Sequence, residues 1–136
     1  MVTMTATYHG EKHCTAQHEP SKALLETDAP KDNQGRGESF SPTDLVATAL
    51  GTCILTTMAI VAERDGVDLK GSKMSVEKVM SASPRTIASL KTVIEMPASL
   101  PPDYRNKMEL AAHSCPVKKS LHPDVQIPIE FKYTIS

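Results

Sequence analysis

The chain has 136 residues, with 15 basic against 16 acidic side chains and a formal net charge of −1. That length predicts a single domain spanning 1–136 with an ordinary core, and 40% hydrophobic with 23% charged residues is the balance of a soluble protein. The even charge, the absence of Trp and the presence of only two Phe exclude a basic stripe or a base-stacking platform, so nucleic acid is not expected as a partner.

The N-terminal MVTMTATYHGEKHC has no basic segment followed by an apolar run, so no signal peptide is expected. Residues 3–17 alternate loosely and contain β-formers. They read as an edge strand or hairpin arm, broken at Gly10. Residues 22–27, KALLET, read as a second strand leading into the polar, Gly-rich loop APKDNQGRGESF.

Ser41 opens the most apolar segment, SPTDLVATALGTCILTTMAIVAERDG. Ser41 suits an N-cap, Pro42 suits the first helical position, and Asp44 stands where a capping box carries Glu or Gln. Apolar residues recur at helical spacing on more than one face, and Gly66 ends the run. Leu45 to Ala62 carries no charge and reaches the minimum length of a membrane span, but four Thr and a Gly interrupt it. A central helix of a soluble domain is expected, with no membrane partner.

KGSKMSVEKVMSA and RTIASLKTVIEMP then alternate around Ser83-Pro84 and predict an antiparallel hairpin. Met74, Val76 and Val79 are expected to pack from the first arm, and Ile87, Leu90, Val93 and Ile94 from the second. A second helix is expected from Pro101-Pro102 through DYRNKMELAAHS, capped by Ser99 and interrupted by Pro116. IPIEFKYTIS closes the chain as a strand. The order β-β-α-β-β-α-β predicts an α+β fold, a mainly antiparallel sheet packed on the long helix.

Three cysteines, Cys14, Cys53 and Cys115, are odd in number and widely spaced, which does not suggest a secreted disulfide framework. A cytoplasmic location is the expectation, and there a thiol is either inert core or chemistry. Cys115 precedes Pro116, which can begin a helix. A thiol at a helix N-terminus, with Lys118 and Lys119 close by, would have a lowered pKa. His113 and His122 are also near in sequence. The other reading of Cys115 is a buried small hydrophobe. Cys53 lies three turns inside its helix among apolar neighbours, where burial raises a thiol pKa. On position alone it reads as core filler that a cation from elsewhere would have to activate.

His9, His13, Cys14 and His18 enrich the N-terminal stretch in metal-binding residue types. Strand alternation divides them between two faces, and neither Cys-x-x-Cys nor His-Glu-x-x-His spacing accompanies them. No metal is expected. Gly35-Arg36-Gly37 is too short for a phosphate loop.

Two stretches together resemble the OsmC/Ohr family of peroxide-stress proteins. SPTDLVATALGTC resembles the family's apolar, cysteine-bearing helix, and HSCPVKKSL its Cys-Pro-Val motif. The spacing of 62 positions between Cys53 and Cys115 fits, and the resemblance covers nearly the whole chain. It implies an OsmC-like fold and an intertwined homodimer with the long helices at its centre and the active sites at the subunit interface. It implies that Cys53 is the peroxidatic thiol and Cys115 the resolving one, joined as a Cys53–Cys115 disulfide after turnover. The implied substrates are organic hydroperoxides, and the implied reductant is a dithiol. No metal, flavin or haem cofactor is implied.

The family's strong organic peroxidases carry a Glu ten residues before the helix cysteine, where this chain has Thr43. Asp44 is adjacent, but one residue turns a helix by about 100°. The family also uses an Arg from the N-terminal part to hold the thiolate. Arg36 is the Arg available before the helix, and Arg85 is the alternative. The expected function is therefore a thiol peroxidase of a divergent branch. The competing expectations are a non-catalytic dimer that binds an apolar small molecule, and a plain structural domain with inert thiols.

Overall fold

The computed structural model describes residues 1–136, which form two compact units, Met1–Val46 and Ala47–Ser136.

In the first unit, β1 (Met4–Tyr8), β2 (His13–His18) and β3 (Leu24–Asp28) make an antiparallel meander in that order. The break expected at Gly10 is a turn in which Gly10, Glu11 and Lys12 all take positive φ, so the N-terminal stretch supplies two strands. β1 is exposed along its length, and Met4, Tyr8, Leu24 and Leu25 stand at the surface of the single chain. The Gly-rich loop contains a 3-10 turn at Lys31–Asn33. A Cβ on Gly35 would lie 1.8 Å from the Ala29 carbonyl oxygen, so only glycine fits the fold-back. Buried Asp28 fastens the loop's return. Its carboxylate accepts the Glu38 N–H at 3.1 Å, and its own N–H donates to the Phe40 carbonyl at 2.9 Å.

The helix start follows the sequence. Ser41 N–H donates to the Asp44 carboxylate at 2.9 Å, and Asp44 N–H donates back to Ser41 Oγ at 3.0 Å. Asp closes the capping box as Glu does elsewhere. From this cap α1 runs Pro42–Arg64, its remaining length in the second unit. It is long and apolar enough to cross a membrane by length and composition. Within the fold, Ala47, Leu50, Gly51, Ile54, Met58 and Ala62 form one buried stripe at helical spacing.

In the second unit, β4 (Lys73–Met80) pairs antiparallel with β5 (Ile87–Pro97), as the hairpin pattern predicts. β6 (Ile129–Ile135) pairs with β5 in parallel, so this sheet is mixed, while the other three strand pairings are antiparallel as expected. The reason is the connection. α2 (Pro102–His113) and α3 (Pro116–Ser120) form a crossover that returns the chain to the starting end of β5, and a strand delivered that way runs parallel. Leu90, Thr92, Ile94 and Met96 alternate as the buried face of β5, so Val93 lies on the other face. Val79 is exposed, because Met74, Val76, Lys78 and Met80 share the more buried face of β4. Met108, Ala112 and Cys115 complete the core.

α2 begins at Pro102 with no side-chain cap, so Ser99 does not serve as one. Two polar ties hold this helix. Asp65, just beyond α1, accepts from Tyr104 Oη at 2.8 Å and Lys107 Nζ at 2.7 Å. Tyr133 of β6 donates to Glu109 at 2.7 Å beneath the Arg105 guanidinium.

Gly51 sets the approach of α1 to β4. A Cβ there would lie 2.4 Å from Met74 Sδ and 2.9 Å from its Cγ. Helix propensity alone would make Gly51→Ala stabilising by about 1 kcal/mol. Overpacking costs about 1–3 kcal/mol and is expected to win. Urea unfolding should therefore place Gly51→Ala below the parent, and equal or greater stability would show that Met74 yields without strain.

Candidate active site

The two thiols singled out in the sequence meet. Cys53 projects from the middle of α1, one turn beyond Ala49 and two positions after Gly51, whose close packing fixes this part of the helix. Cys115 sits at the junction where α2 ends and α3 begins, as the N-cap residue of α3. Pro116 makes this junction: it cannot continue α2, and its fixed φ suits the first position of α3. Both cysteines are free thiols. Cys115 is 0% exposed, whereas Cys53 is partly open.

Their protonation differs. Burial pushes the Cys53 thiol up, but hydrogen bonds from the Cys115 side chain, the Val117 N–H and the Thr57 hydroxyl outweigh it, and the net shift is downward. Cys115 moves upward. Burial is the main cause, reinforced by its hydrogen bond to Cys53 and by repulsion from the Cys53 charge, against smaller opposing effects of the Lys118 and Val117 N–H groups. Of the two thiols, Cys53 is the more readily ionised. This reverses what position in the sequence suggests. The amide groups opening α3 serve the neighbouring thiol across the junction as well as the cysteine that caps them. The effect of Lys118 comes through its backbone N–H and not its ammonium.

The other residues marked in the sequence lie as follows. Arg36 is in the first unit, where its guanidinium pairs with Glu11 and its side chain is 60% exposed. Arg85 is exposed in the loop between β4 and β5, two residues before the strand. Thr43 Oγ1 lies 3.2 Å from Ser41 Oγ, and Asp44 is held in the capping box. His113 packs edge-on against Phe131 at 6.3 Å, and His122 Nδ1 accepts the Asp124 N–H at 3.0 Å. In the N-terminal stretch, His9 bonds Thr15 at 2.9 Å, His13 lies 3.4 Å from Glu26, and His18 bonds Ser21 at 2.6 Å. Cys14 is half-buried on β2 opposite Tyr8 and Thr27.

Two participants were not found from the sequence. The Val117 N–H is a backbone group, and only the Cys-Pro junction hinted at it. Thr57 was counted among residues interrupting an apolar run, although its position four after Cys53 places both on one helix face.

Chemically, the pair offers a partly open sulfur that ionises more readily and a buried one that ionises less readily. The first can attack an electrophile, and the second is placed to displace whatever the first then carries.

Residues 35–130 match the family model described as OsmC-like protein. A crystal structure of a candidate osmotic stress induced and detoxification response protein from Psychrobacter arcticus 273-4 superposes with a TM-score of 0.91 and 40% identity, over 96% of each chain. The organic hydroperoxide resistance protein OhrB of Bacillus subtilis superposes with a TM-score of 0.70 and 18% identity, over 97% of this chain and 98% of its own. Among curated sequences, the uncharacterized protein YmaD of Bacillus subtilis (strain 168) is 21% identical over 93% of this chain and 90% of its own.

The donor arrangement predicts that iodoacetamide at neutral pH labels Cys53 in the reduced native protein, and Cys115 only after denaturation. Cys115→Ala removes one donor from the Cys53 thiolate and should move the pH midpoint of Cys53 labelling upward. A midpoint equal to the parent's would remove the Cys115 hydrogen bond from the account. The family model spans well over half of the chain, and the chain belongs to the OsmC-like family.

Proposed function

We propose that this chain is a cysteine-based peroxidase acting on organic hydroperoxides in peroxide-stress defence. The observation that carries the reading is the interaction of Cys53, whose thiol pKa is lowered, with the buried Cys115, whose thiol pKa is raised. The name of the Bacillus subtilis relative, an organic hydroperoxide resistance protein, supports the substrate class.

The Cys53 thiolate attacks the terminal oxygen of ROOH. The S–O bond forms as the O–O bond breaks, and RO⁻ leaves to be protonated to ROH. Cys53 is then a sulfenic acid. Cys115 condenses with it, forming the disulfide and releasing water. A dithiol restores both thiols by two exchanges. Cys53 is the sulfur open to that dithiol, because Cys115 is fully buried. A lowered thiol pKa raises the share of nucleophilic thiolate at neutral pH. As pH falls through that pKa the thiolate is protonated, so the rate of peroxide consumption falls with it. Thr43 stands where the family's strong peroxidases carry an acid, and the activity is accordingly placed below theirs. A reducing, cytoplasmic setting suits an enzyme that must return to two free thiols.

The functional form is placed as a homodimer. In the single chain Ile60 on α1 is 49% exposed, Ala49 and Ala59 are exposed beside it, and the sheet of β1, β2 and β3 leaves apolar residues uncovered. A second copy can bury these surfaces. An Arg approaching the thiolate, Arg36 or Arg85, belongs to the same dimeric reading.

A second reading, a non-catalytic dimeric binder of apolar small molecules, draws on a cleft of about 570 Å³ lined by Leu55, Val67 and Leu69 together with the charged Glu63, Asp68 and Lys70, with neither thiol on its wall. It predicts ligand retention without peroxide turnover.

Cumene hydroperoxide added to the reduced protein should be consumed, leaving a Cys53–Cys115 disulfide detectable by peptide mass spectrometry. Cys53→Ser should abolish consumption, and Cys115→Ser should allow at most one turnover under dithiol-free conditions. Consumption by Cys53→Ser at the parental rate would sink the reading. Sedimentation equilibrium should give twice the 14.7 kDa chain mass, and a monomer would refute the dimer.

A further inference from the structure

Two threonines on α1 use their hydroxyls differently. Thr52 Oγ1 donates back along the helix to the carbonyl oxygens of Thr48 at 2.8 Å and Ala49 at 3.3 Å. That is the ordinary behaviour of a helical threonine. Thr57 has the same option toward the carbonyls of Cys53 and Ile54. Its hydroxyl instead meets the Cys53 sulfur at 3.9 Å, one turn back on the same helix face. Thr57 is half-buried, so this sulfur contact sits in a partly dry environment, where a hydrogen bond to a charged atom is worth more than in water.

We propose that Thr57 is a thiolate-holding residue, whose hydroxyl donates to Cys53 Sγ when that thiol ionises and thereby sets its reactivity. The proposal rests on Cys53 being the reacting sulfur. In the thiol state the contact is long and weak. Once the sulfur carries a charge, the bond becomes charge-assisted and shortens. Thr57 acts from the same helix, beside the Cys115 side chain and the Val117 N–H, which also lower the pKa of this thiol. The titratable group facing Cys53 is Cys115, and the groups acting on it include no charged side chain. Ionisation of this thiol within the chain is therefore supported by neutral donors, and Thr57 is the one of the three that a single isosteric substitution removes.

The alternative is that Thr57 only packs. Thr57→Val keeps the branched shape and removes the O–H, whereas Thr57→Ser keeps the O–H and removes the methyl. The measurement is the pH dependence of iodoacetamide labelling of Cys53 in the reduced full-length protein, with the modified peptide identified by mass spectrometry. Thr57→Val should move the midpoint up by roughly 0.5–1 pH unit, which lowers labelling at neutral pH about 3- to 10-fold. Thr57→Ser should stay within about twofold of the parent, since the donor is retained. An unchanged midpoint in Thr57→Val overturns the proposal. So does a Thr57→Ser that shifts as far as Thr57→Val, because the methyl would then be the part that matters. Labelling does not require peroxide turnover, so a parent protein inert to hydroperoxides would refute the peroxidase reading and leave this result standing.

Discussion

The interaction between Cys53 and Cys115 sets two chemically identical groups apart, one thiol pKa falling and the other rising. Alone, each cysteine would be raised by burial. Together they share a proton unequally: Cys53 gains a donor and falls, while Cys115 gives one and rises further. The asymmetry comes from surroundings. Cys53 also receives the Val117 N–H and the Thr57 hydroxyl and retains access to solvent, whereas Cys115 is enclosed. The sulfur that is easier to ionise is thus also the one a substrate can reach.

The fold serves this contact by bringing distant parts of the chain to one point. α1 carries Cys53 on a helix whose start is fixed by the Ser41–Asp44 capping box. Its middle is pressed on β4 by the missing Cβ of Gly51. The crossover through α2 and α3 delivers Cys115, and Pro116 begins the helix whose Val117 and Lys118 N–H groups lower the thiol pKa values. The polar ties of Asp65 to Tyr104 and Lys107, and of Tyr133 to Glu109, hold α2 against its neighbours. The same crossover that places Cys115 also lays β6 parallel to β5.

Local rules made much of this legible. Cap, proline and apolar spacing marked α1, two-residue alternation marked the β4–β5 hairpin, and Cys-Pro marked the helix restart. The parallel strand was not legible, because alternation in IPIEFKYTIS says how the strand faces the core and nothing about its direction. Val79 and Val93 were assigned to the packed face because they are apolar, and the register of the strands decided otherwise. The thiols show the deeper limit. Reading along the chain credited the α3 amide groups to Cys115, the residue adjacent in sequence, because the proximity of Cys53 exists only after folding. The resemblance to the OsmC/Ohr family drew attention to this pair, and the groups that shift their two pKa values apart had to come from the structure.

If Cys53, and not Cys115, is the sulfur that reacts with peroxide, the first oxidation product can be trapped on it. Cys115→Ala protein treated with one equivalent of cumene hydroperoxide in the presence of dimedone should carry a single dimedone adduct on the Cys53 peptide. Cys53→Ala protein, treated alike, should carry none. An adduct on Cys115 in the second variant, or no adduct on Cys53 in the first, would contradict the account.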